Sequence, residues 1–504
     1  MKFAKKRIFL LILTVLFLLP VLISCKDNSN DNSNTDVNQN SQSDEKSDNG
    51  ETPSDSATTG EYEYPDFDGG GSDFTIFSFT TAWGMYTDIV RNEITGEVLD
   101  DAIYKRNRQI EDKFNINLKE LNEPIEGDIA NHLQKIIFSG EDLYDAAFVP
   151  ITHSGGVAPL ILEDMLYNLK DITSLNLDGE WWNQTMKKEA ELGSQKKLFY
   201  LACDINIMTL QSSACIYFNE DMMANLGLDL PYNLVKEGKW TFDAMQQYMR
   251  EGAQLNGAET FKWKNSSTAI YGFTAAWNAA NALFDGSGER SVRKDEDGMP
   301  YLALHRERVF NVLQKIKDML LVDDGSYLYA DTFGGPRWCE TLFRDGRAMM
   351  LTATLQASDN FRDMDATFGI LPIPKFDEYQ ENHYSNFDVT TPLLVVPVTN
   401  TREEFTGAVL DAMAYVSNRE VTPIFFDVTM SQKRLRNDES IEMLQIIRDS
   451  TCFDVGAIYN WTTDFFYGIR FSLSASRAFD LASHLDRYGD IMAGNIERAM
   501  EFFE

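Results

Sequence analysis

The chain has 504 residues, of which 43% are hydrophobic and 12% aromatic, so it is long enough to form two lobes with separate cores. Its formal net charge is −33, and so acidic a chain repels phosphate backbones, which argues against nucleic acid as a partner. The 5 cysteines and 5 scattered histidines are too sparse for a disulfide framework or a zinc site, and we expect neither a metal nor another cofactor.

The N-terminus has the layout of a secretory signal. Basic residues within positions 2–7 precede an apolar stretch at 8–23, which is shorter than the roughly 20 residues of a comfortable membrane span. The stretch ends in Leu-Ile-Ser-Cys, which resembles the bacterial lipobox, where the cysteine becomes the first residue and carries lipid. We therefore predict a signal peptide at 1–24 and lipidation, including palmitate, at Cys25; an uncleaved anchor, or ordinary cleavage beside a chance cysteine, is the alternative.

The next segment, 25–71, is built mainly of Ser, Asn, Asp, Thr, Gly and Glu. It contains too little apolar surface to offset the entropy of an ordered chain, and its acidic charges repel one another. The sequence therefore predicts a disordered tether that holds a folded domain at the outer face of the cell membrane.

The pattern at the start of the folded part predicts β-α-β-α-β order. Polar and apolar residues alternate over strand 73–79, and helix-spaced apolar residues follow it. The predicted elements are strand 73–79, helix 96–114, strand 115–118, helix 128–139 and strand 144–149. This order implies a mainly parallel sheet covered by helices.

Later patterns continue the mixture of strands and helices. Acidic residues at 295–297 resemble half of a calcium loop but lack its remaining ligands, so a turn is the better interpretation. The predicted strands are 197–201, 214–218, 347–352, 368–374 and 391–397, with a hairpin at 293–304; the predicted helices are 221–226, one capped by Thr241 that runs to 253, 306–321, 401–417 and several after 439.

Four cysteines follow Cys25, and no two of them have C-x-x-C spacing. We expect them to be buried as small apolar side chains, with one unassigned disulfide as the alternative. They are Cys203, Cys215, Cys339 and Cys452.

Segments spread in order over residues 73–450 resemble the extracellular solute-binding proteins of carbohydrate-type ABC importers, in their lipoprotein branch. Each match is short, and the ordered set carries the resemblance. Glu220 departs from it, because lysine is usual there. The segments are IYKRN at 103–107, FNI at 114–116, LYD at 143–145, IYFNED at 216–221, LPYNLVKEGKWT at 230–241, FRDGRAMM at 343–350, GILPIPK at 369–375 and RNDES at 436–440.

The resemblance implies an α/β, periplasmic-binding-protein-like fold of type II, with two α/β lobes and a ligand cleft between them. We expect chain crossings near Asp204, Met349 and Ser417. Lobe 1 would then contain 72–204 plus 349–417, and lobe 2 would contain 205–348 plus 418–504. It also implies a monomeric binding lipoprotein that captures a solute, in particular a sugar or oligosaccharide, and delivers it to the membrane subunits of an ABC permease.

Aromatic rings and hydrogen-bonding side chains are the candidates for sugar contact, since rings cover the apolar faces of sugars and polar groups bond their hydroxyls. Asp204 and Asn206 lie at an expected crossing, and Trp181, Trp182 and Trp240 are better explained as packing. The predicted ligand-binding residues are Trp83, Tyr86, Asp204, Asn206, Trp277, Trp338 and Trp461.

Two other functions remain as alternatives. A secreted glycoside hydrolase needs a carboxylate pair, but with 78 acidic residues a pair arises by chance. The motifs G-x-S-x-G, G-x-x-x-x-G-K and H-E-x-x-H are absent from the sequence, so we do not expect an enzyme. A surface adhesin would bind a large polymer and would not close on a small ligand.

Overall fold

The computed structural model describes residues 62–82, 84–262, 266–275, 278–320, 327–329, 337–432, 437–475 and 480–503. The chain divides into a unit that ends at Tyr62 and a second unit that begins at Glu63, to which all the elements below belong. The signal peptide, Cys25, most of the predicted tether, Trp83 and Trp277 lie outside the described residues.

Strands and helices are mixed throughout the second unit. Its first half contains β1 (Ser72–Thr80), α1 (Val98–Phe114), β2 (Ile116–Pro124), α2 (Ile129–Ser139), β3 (Ala146–Pro150), α3 (Ala158–Leu162), α4 (Gln184–Ala190), α5 (Ile207–Gln211), β4 (Ala214–Asn219), α6 (Glu220–Asn225), α7 (Tyr232–Lys236), α8 (Phe242–Gly252) and β5 (Tyr271–Ala275). Its second half contains α9 (Ala279–Gly286), β6 (Val292–Lys294), β7 (Pro300–Leu302), α10 (Glu307–Leu320), β8 (Tyr327–Tyr329), α11 (Trp338–Arg344), β9 (Ala348–Thr354), β10 (Phe368–Leu371), β11 (Ser385–Asn386), β12 (Pro392–Val395), α12 (Glu403–Val416), α13 (Asp438–Asp449), β13 (Thr451–Cys452), α14 (Val455–Ile458), α15 (Thr463–Ala475) and α16 (Leu481–Phe503). Among the described helices, none has the length and apolar composition needed to cross a bilayer.

The first sheet has four strands in the order β12-β3-β1-β2. β1 is parallel to both β2 and β3, whereas β12 is antiparallel to β3. All five residues of β3 are buried, which explains why its sequence is apolar throughout. The predicted β-α-β-α-β order and its parallel pairing are confirmed.

The second sheet has five strands in the order β10-β4-β9-β5-β8. β5 is parallel to β8 and β9, and β4 is antiparallel to β9 and β10. The helices on this sheet bury a large aromatic core that includes Trp240 and Phe343. We call the parts built on the first and second sheets the first and second lobes.

Within the residues that the structure describes, the chain crosses between the sheets three times. The first crossing lies between Leu201, which bridges to Leu394, and β4. The second lies between β10 and β12. The third follows α12 through π-helical turns at Ser417–Val421 and Ile424–Gln432. Phe405 of α12 packs on Phe74 of the first sheet, whereas Phe425 belongs to the core of the second lobe.

The expected boundary at Met349 does not match this hydrogen bonding. β9 is bonded to β4 on one side and β5 on the other, and β10 extends the same sheet beyond β4. The segment 349–371 therefore belongs to the second lobe, and the chain returns to the first lobe only before β12. The apolar run of β9 indicates a buried strand but carries no sign of which sheet it joins.

Arg106 connects α1 to the crossings. Its side chain is fully buried, and its Nη1 atom donates to the carbonyl oxygen of Ile205 at 2.9 Å and to Ser417 Oγ at 3.0 Å. Burial lowers the pKa of this guanidinium to about 10. One side chain of the first lobe thus holds both the first and the third crossing.

Local predictions outside the sheets have mixed outcomes. The predicted hairpin is confirmed as the β6-β7 pair, with Gly298 at φ +78 in its turn. The predicted strand 197–201 is absent as a ladder and forms only isolated bridges at Lys197 and Leu201. Cys203, Cys215, Cys339 and Cys452 are all buried, as predicted.

Candidate functional site

The cleft lies where loops that follow the strands of the two lobes meet. In sheets with parallel strands, ligands bind beyond the carboxyl ends of those strands. The loop after β1 carries Gly84, and the turn after β9 carries Gln356. Gln356 Nε2 lies 3.4 Å from the carbonyl oxygen of Gly84, so the two lobes are in contact across the cleft.

A second contact ties the loop after β1 to the first crossing. The backbone N–H of Tyr86 donates to Gln211 Oε1 at 2.6 Å, at the end of α5. The Tyr86 hydroxyl donates to Asp100 at 2.6 Å and receives a bond from Arg91 Nε at 3.1 Å. Burial and the bond to Asp100 raise the pKa of Tyr86 far above its ordinary value. Tyr86 lies at the cleft, but its hydroxyl is bonded within its own lobe.

An ionic network forms the wall contributed by the second lobe. Arg337 Nη2 donates to Gln356 Oε1 at 2.6 Å, and Arg337 also pairs with Glu340 at 2.8 Å. Asn360 donates to the same Glu340 carboxylate. Arg337 adopts φ +61, a left-handed conformation that is uncommon outside glycine and that occurs often at functional sites.

A second group of amide and carboxylate side chains lies near the second crossing, beside the loop after β1. Asn278 Nδ2 donates to Asp388 Oδ2 at 3.1 Å, and the Thr390 hydroxyl donates to Asp388 Oδ1 at 2.7 Å. Thr390 Oγ1 also lies 3.9 Å from the sulfur of Met85 in the loop after β1. Within the described residues, the buried Asn278 Oδ1 has no hydrogen-bond partner, so this acceptor is available to a ligand or a water.

Two of the remaining predicted site residues are packed into cores. Trp338 is 8% exposed and begins α11, beside Arg337. Trp461 is 3% exposed, and its ring stacks on Tyr459 with 4.7 Å between centroids. Ligand contact by either ring stays a prediction, as it does for Trp83 and Trp277. Trp277 immediately precedes Asn278.

The predicted polar residues, Asp204 and Asn206, form hydrogen bonds within the first crossing and with the segment after α12. Asn206 is buried and caps α5, since its Oδ1 accepts the N–H of Met208 at 3.0 Å. Asp204 accepts a bond from Thr422 Oγ1 at 2.8 Å and lines a different cavity from the cleft. Tyr86 thus lies in the loop after β1, and Asp204 and Asn206 lie at the first crossing. Ligand contact by all three stays a prediction.

Three of the cleft residues were not considered as ligand-binding from the sequence. Gln211, Arg337 and Asp388 lie in short helices and crossing segments without a periodic pattern. Asn278, next to Trp277, and Gln356, just after β9, are weaker candidates that the sequence already indicates, since ligand loops follow strand ends. Across the described residues, no three His, Cys, Asp or Glu side chains are grouped to hold a metal ion.

No protein-family model matches the chain, and no curated protein matches it by sequence. Solved structures do match it. An ABC substrate-binding protein from Listeria monocytogenes in complex with cycloalternan has a TM-score of 0.53 and 14% identity, over 86% of this chain and 100% of that one. The maltose-binding protein MalE from Listeria monocytogenes in complex with maltose has a TM-score of 0.53 and 13% identity, over 85% and 98%.

UgpB from Mycobacterium tuberculosis in complex with glycerophosphocholine has a TM-score of 0.55 and 13% identity, over 86% of this chain and 99% of that one. At such low identity the likeness concerns the fold. The predicted fold class is confirmed: the chain has the type II periplasmic-binding-protein fold, with two α/β lobes and a cleft between them.

Proposed function

We propose that this protein is the substrate-binding component of an ABC importer, which captures an extracellular sugar or oligosaccharide in the cleft and delivers it to a membrane permease. The observation that carries the proposal is the polar cleft between the two lobes. Its walls offer the amides of Gln356 and Asn278, the guanidinium of Arg337 and the carboxylate of Asp388, which suit the hydroxyls of a saccharide. The similar structures in complex with cycloalternan and maltose support a saccharide as the ligand. The similar structure in complex with glycerophosphocholine is the reason to test other polar solutes as well.

The proposed role includes no chemical step. The similar structures are binding proteins, and capture needs only complementary hydrogen bonds and closure of the lobes. We further propose that lipid on Cys25 holds a monomeric protein at the outer face of the membrane. The lipobox-like end of the apolar stretch and the polar segment after it support this anchoring.

A thermal-shift screen of the full chain against saccharides and small polar solutes tests the proposal. A ligand that binds only the folded state stabilises it by about 2.7 kcal/mol at a concentration 100 times its dissociation constant. We expect one saccharide class to raise the melting temperature without product formation. Turnover would establish an enzyme instead, and binding of a large polymer alone would establish an adhesin.

The variant Gln356→Ala then locates the site. Losing this bonded amide should weaken saccharide binding by about tenfold, because a hydrogen bond contributes about 1 kcal/mol or somewhat more. Gln247→Ala is the matched control, since Gln247 is exposed on α8 and bonds only Glu251 among the described residues. Equal affinities of the two variants, measured by calorimetry, would remove Gln356 from the site.

A further inference from the structure

A separate cavity of about 310 Å³ lies behind the crossing segments. Its lining includes Trp181 and Trp182 from the first lobe and Arg448 from the second. Phe387 lines this cavity, whereas Asp388 bonds Asn278 in the cleft. Phe387 bridges to Ser213 in extended conformation, where successive side chains point to opposite faces. The lining of the cavity includes none of the cleft residues described above, so the two are separate.

The cavity contains a positive charge that has no ionic partner in the described part of the chain. Arg448 is on α13 and is partly buried, and its guanidinium lies over the ring of Phe426 at 5.0 Å. Among the residues that the structure describes, no carboxylate lies within ion-pair distance of Arg448. A guanidinium held by an aromatic ring presents a fixed fork of donors that matches a carboxylate.

Two further side chains at the same cavity, Asp204 and Thr209, each have an oxygen atom with no hydrogen bond from the described side chains. Asp204 receives hydrogen bonds from Thr422 and Asn418 on its Oδ2 atom, and its Oδ1 atom receives none from the described side chains. Burial raises the pKa of Asp204, and the positive charge of Arg448 opposes that rise. Thr209 is 3% exposed, and its Oγ1 atom has no partner within the described part of the chain.

The other acidic groups at the cavity have partners already. Glu180 pairs with Arg419, and Asp449 accepts two bonds from Gln445 at 2.9 Å. Asp204 and Arg448 are therefore the oppositely charged groups that a ligand can bridge.

We propose that this cavity is a second binding site, for a small zwitterion of the amino-acid type. The ligand's carboxylate pairs with Arg448, its ammonium group pairs with Asp204, and Thr209 bonds a remaining polar atom. The indole rings of Trp181 and Trp182 form a rigid wall, because both Nε1 atoms are bonded to Asp411. The site is distinct in position and in ligand charge from the saccharide cleft.

Isothermal titration of the full chain with L-alanine tests the second site, with acetate and methylamine as probes of a single charge. We expect L-alanine to bind more tightly than either probe. Arg448→Gln and Asp204→Asn should each weaken it at least about tenfold, because hydrogen bonds to charged groups contribute roughly 1.5–3 kcal/mol. Arg250→Gln, an exposed arginine on α8, should bind as the wild type does.

The melting temperature of each variant shows whether it is folded, and Arg448→Lys keeps the charge if the glutamine variant unfolds. No binding of L-alanine by the wild type would overturn the proposal, as would unchanged affinity in folded Arg448→Gln. If Gln356→Ala lost L-alanine while Arg448→Gln kept it, the amino acid would occupy the cleft and the second site would be refuted. Saccharide binding, measured in the same variants, reports separately on the proposed function.

Discussion

Asp411 shows how one buried carboxylate can position several groups at once. It is 2% exposed on α12, and its Oδ1 atom accepts bonds from the Asn176 N–H at 3.1 Å, Trp181 Nε1 at 2.9 Å and Trp182 Nε1 at 3.0 Å. Charged acceptors form stronger hydrogen bonds than neutral ones. The long segment between α3 and α4 is thereby fastened to the first lobe.

Asp411→Ala should therefore lower the free energy of unfolding by roughly 3 kcal/mol, because it leaves buried donors without an acceptor. Urea unfolding monitored by tryptophan fluorescence measures this change. Asp243→Ala is the control, since its side chain is 80% exposed and should change stability by less than about 0.5 kcal/mol. If both variants unfolded at the same urea concentration, the hydrogen bonds to Asp411 would make no net contribution to stability.

Burial is the residue property that the sequence reveals least. Trp461 is predicted as a stacking ring for a ligand, and in the structure it is 3% exposed with its ring against Tyr459, so its ligand contact stays a prediction. Composition identifies a large ring, but tertiary packing decides whether its face meets a ligand or another ring. In the same way, Asp388 and Gln211 reach the cleft only because the chain crosses between the sheets.

A helix and a strand are in close contact where α8 packs on β5. Gly272 of β5 leaves room for the backbone of α8: a Cβ atom at this position would lie 1.6 Å from the carbonyl oxygen of Met249. The obstacle is backbone rather than a flexible side chain, so the helix would have to move away from the sheet.

Gly272→Ala should accordingly destabilise the protein by about 3 kcal/mol or more, which exceeds the usual cost of an added methyl group in a core. Gly494→Ala is the same substitution on α16, where a Cβ atom meets only Arg498 Nη1, at 3.7 Å. That control should be stabilised by up to about 1 kcal/mol, since alanine favours helix more than glycine does. Denaturant unfolding measures the change in the free energy of unfolding for each variant. Changes of the same sign in the two variants would contradict the packing argument.

The sequence predicts elements well where the signal is local. Thr241 was predicted to cap a helix, and its Oγ1 atom accepts the N–H of Ala244 at 3.3 Å at the start of α8. Pairing between distant strands carries no such signal. β9 was placed in the wrong lobe because its partners, β4 and β5, are more than 70 residues before it.

At the scale of the whole molecule, the crossings join two lobes that each have their own sheet. Arg106 holds two of the crossings, and the contact of Gln356 with Gly84 joins the lobes across the cleft. The second lobe also contains two buried acidic residues, Asp285 and Asp454, near the end of α9. Asp285 is 8% exposed there, with Arg290 and Asp454 close by.

Burial raises the pKa of Asp285 to about 7 from its ordinary value of 3.8, with Arg290 opposing the rise and Asp454 adding to it. Between these two values the folded protein holds this proton and the unfolded chain does not. Protonation therefore favours the folded state, and the contribution of Asp285 to stability is full below pH 4 and declines as the pH rises to about 7.

Asp285→Asn removes this titration and keeps the size of the side chain. The stability of the wild type relative to the variant should fall as the pH rises from 4 to 7, by up to about 4 kcal/mol, since one pKa unit corresponds to 1.36 kcal/mol. Denaturant unfolding of both proteins at several pH values in this range measures the difference between their free energies of unfolding. The contributions of the other carboxyl groups cancel in this difference, because both proteins contain them. A difference that stayed constant or grew with pH would mean that Asp285 is ionised in the folded protein, with Arg290 compensating its burial.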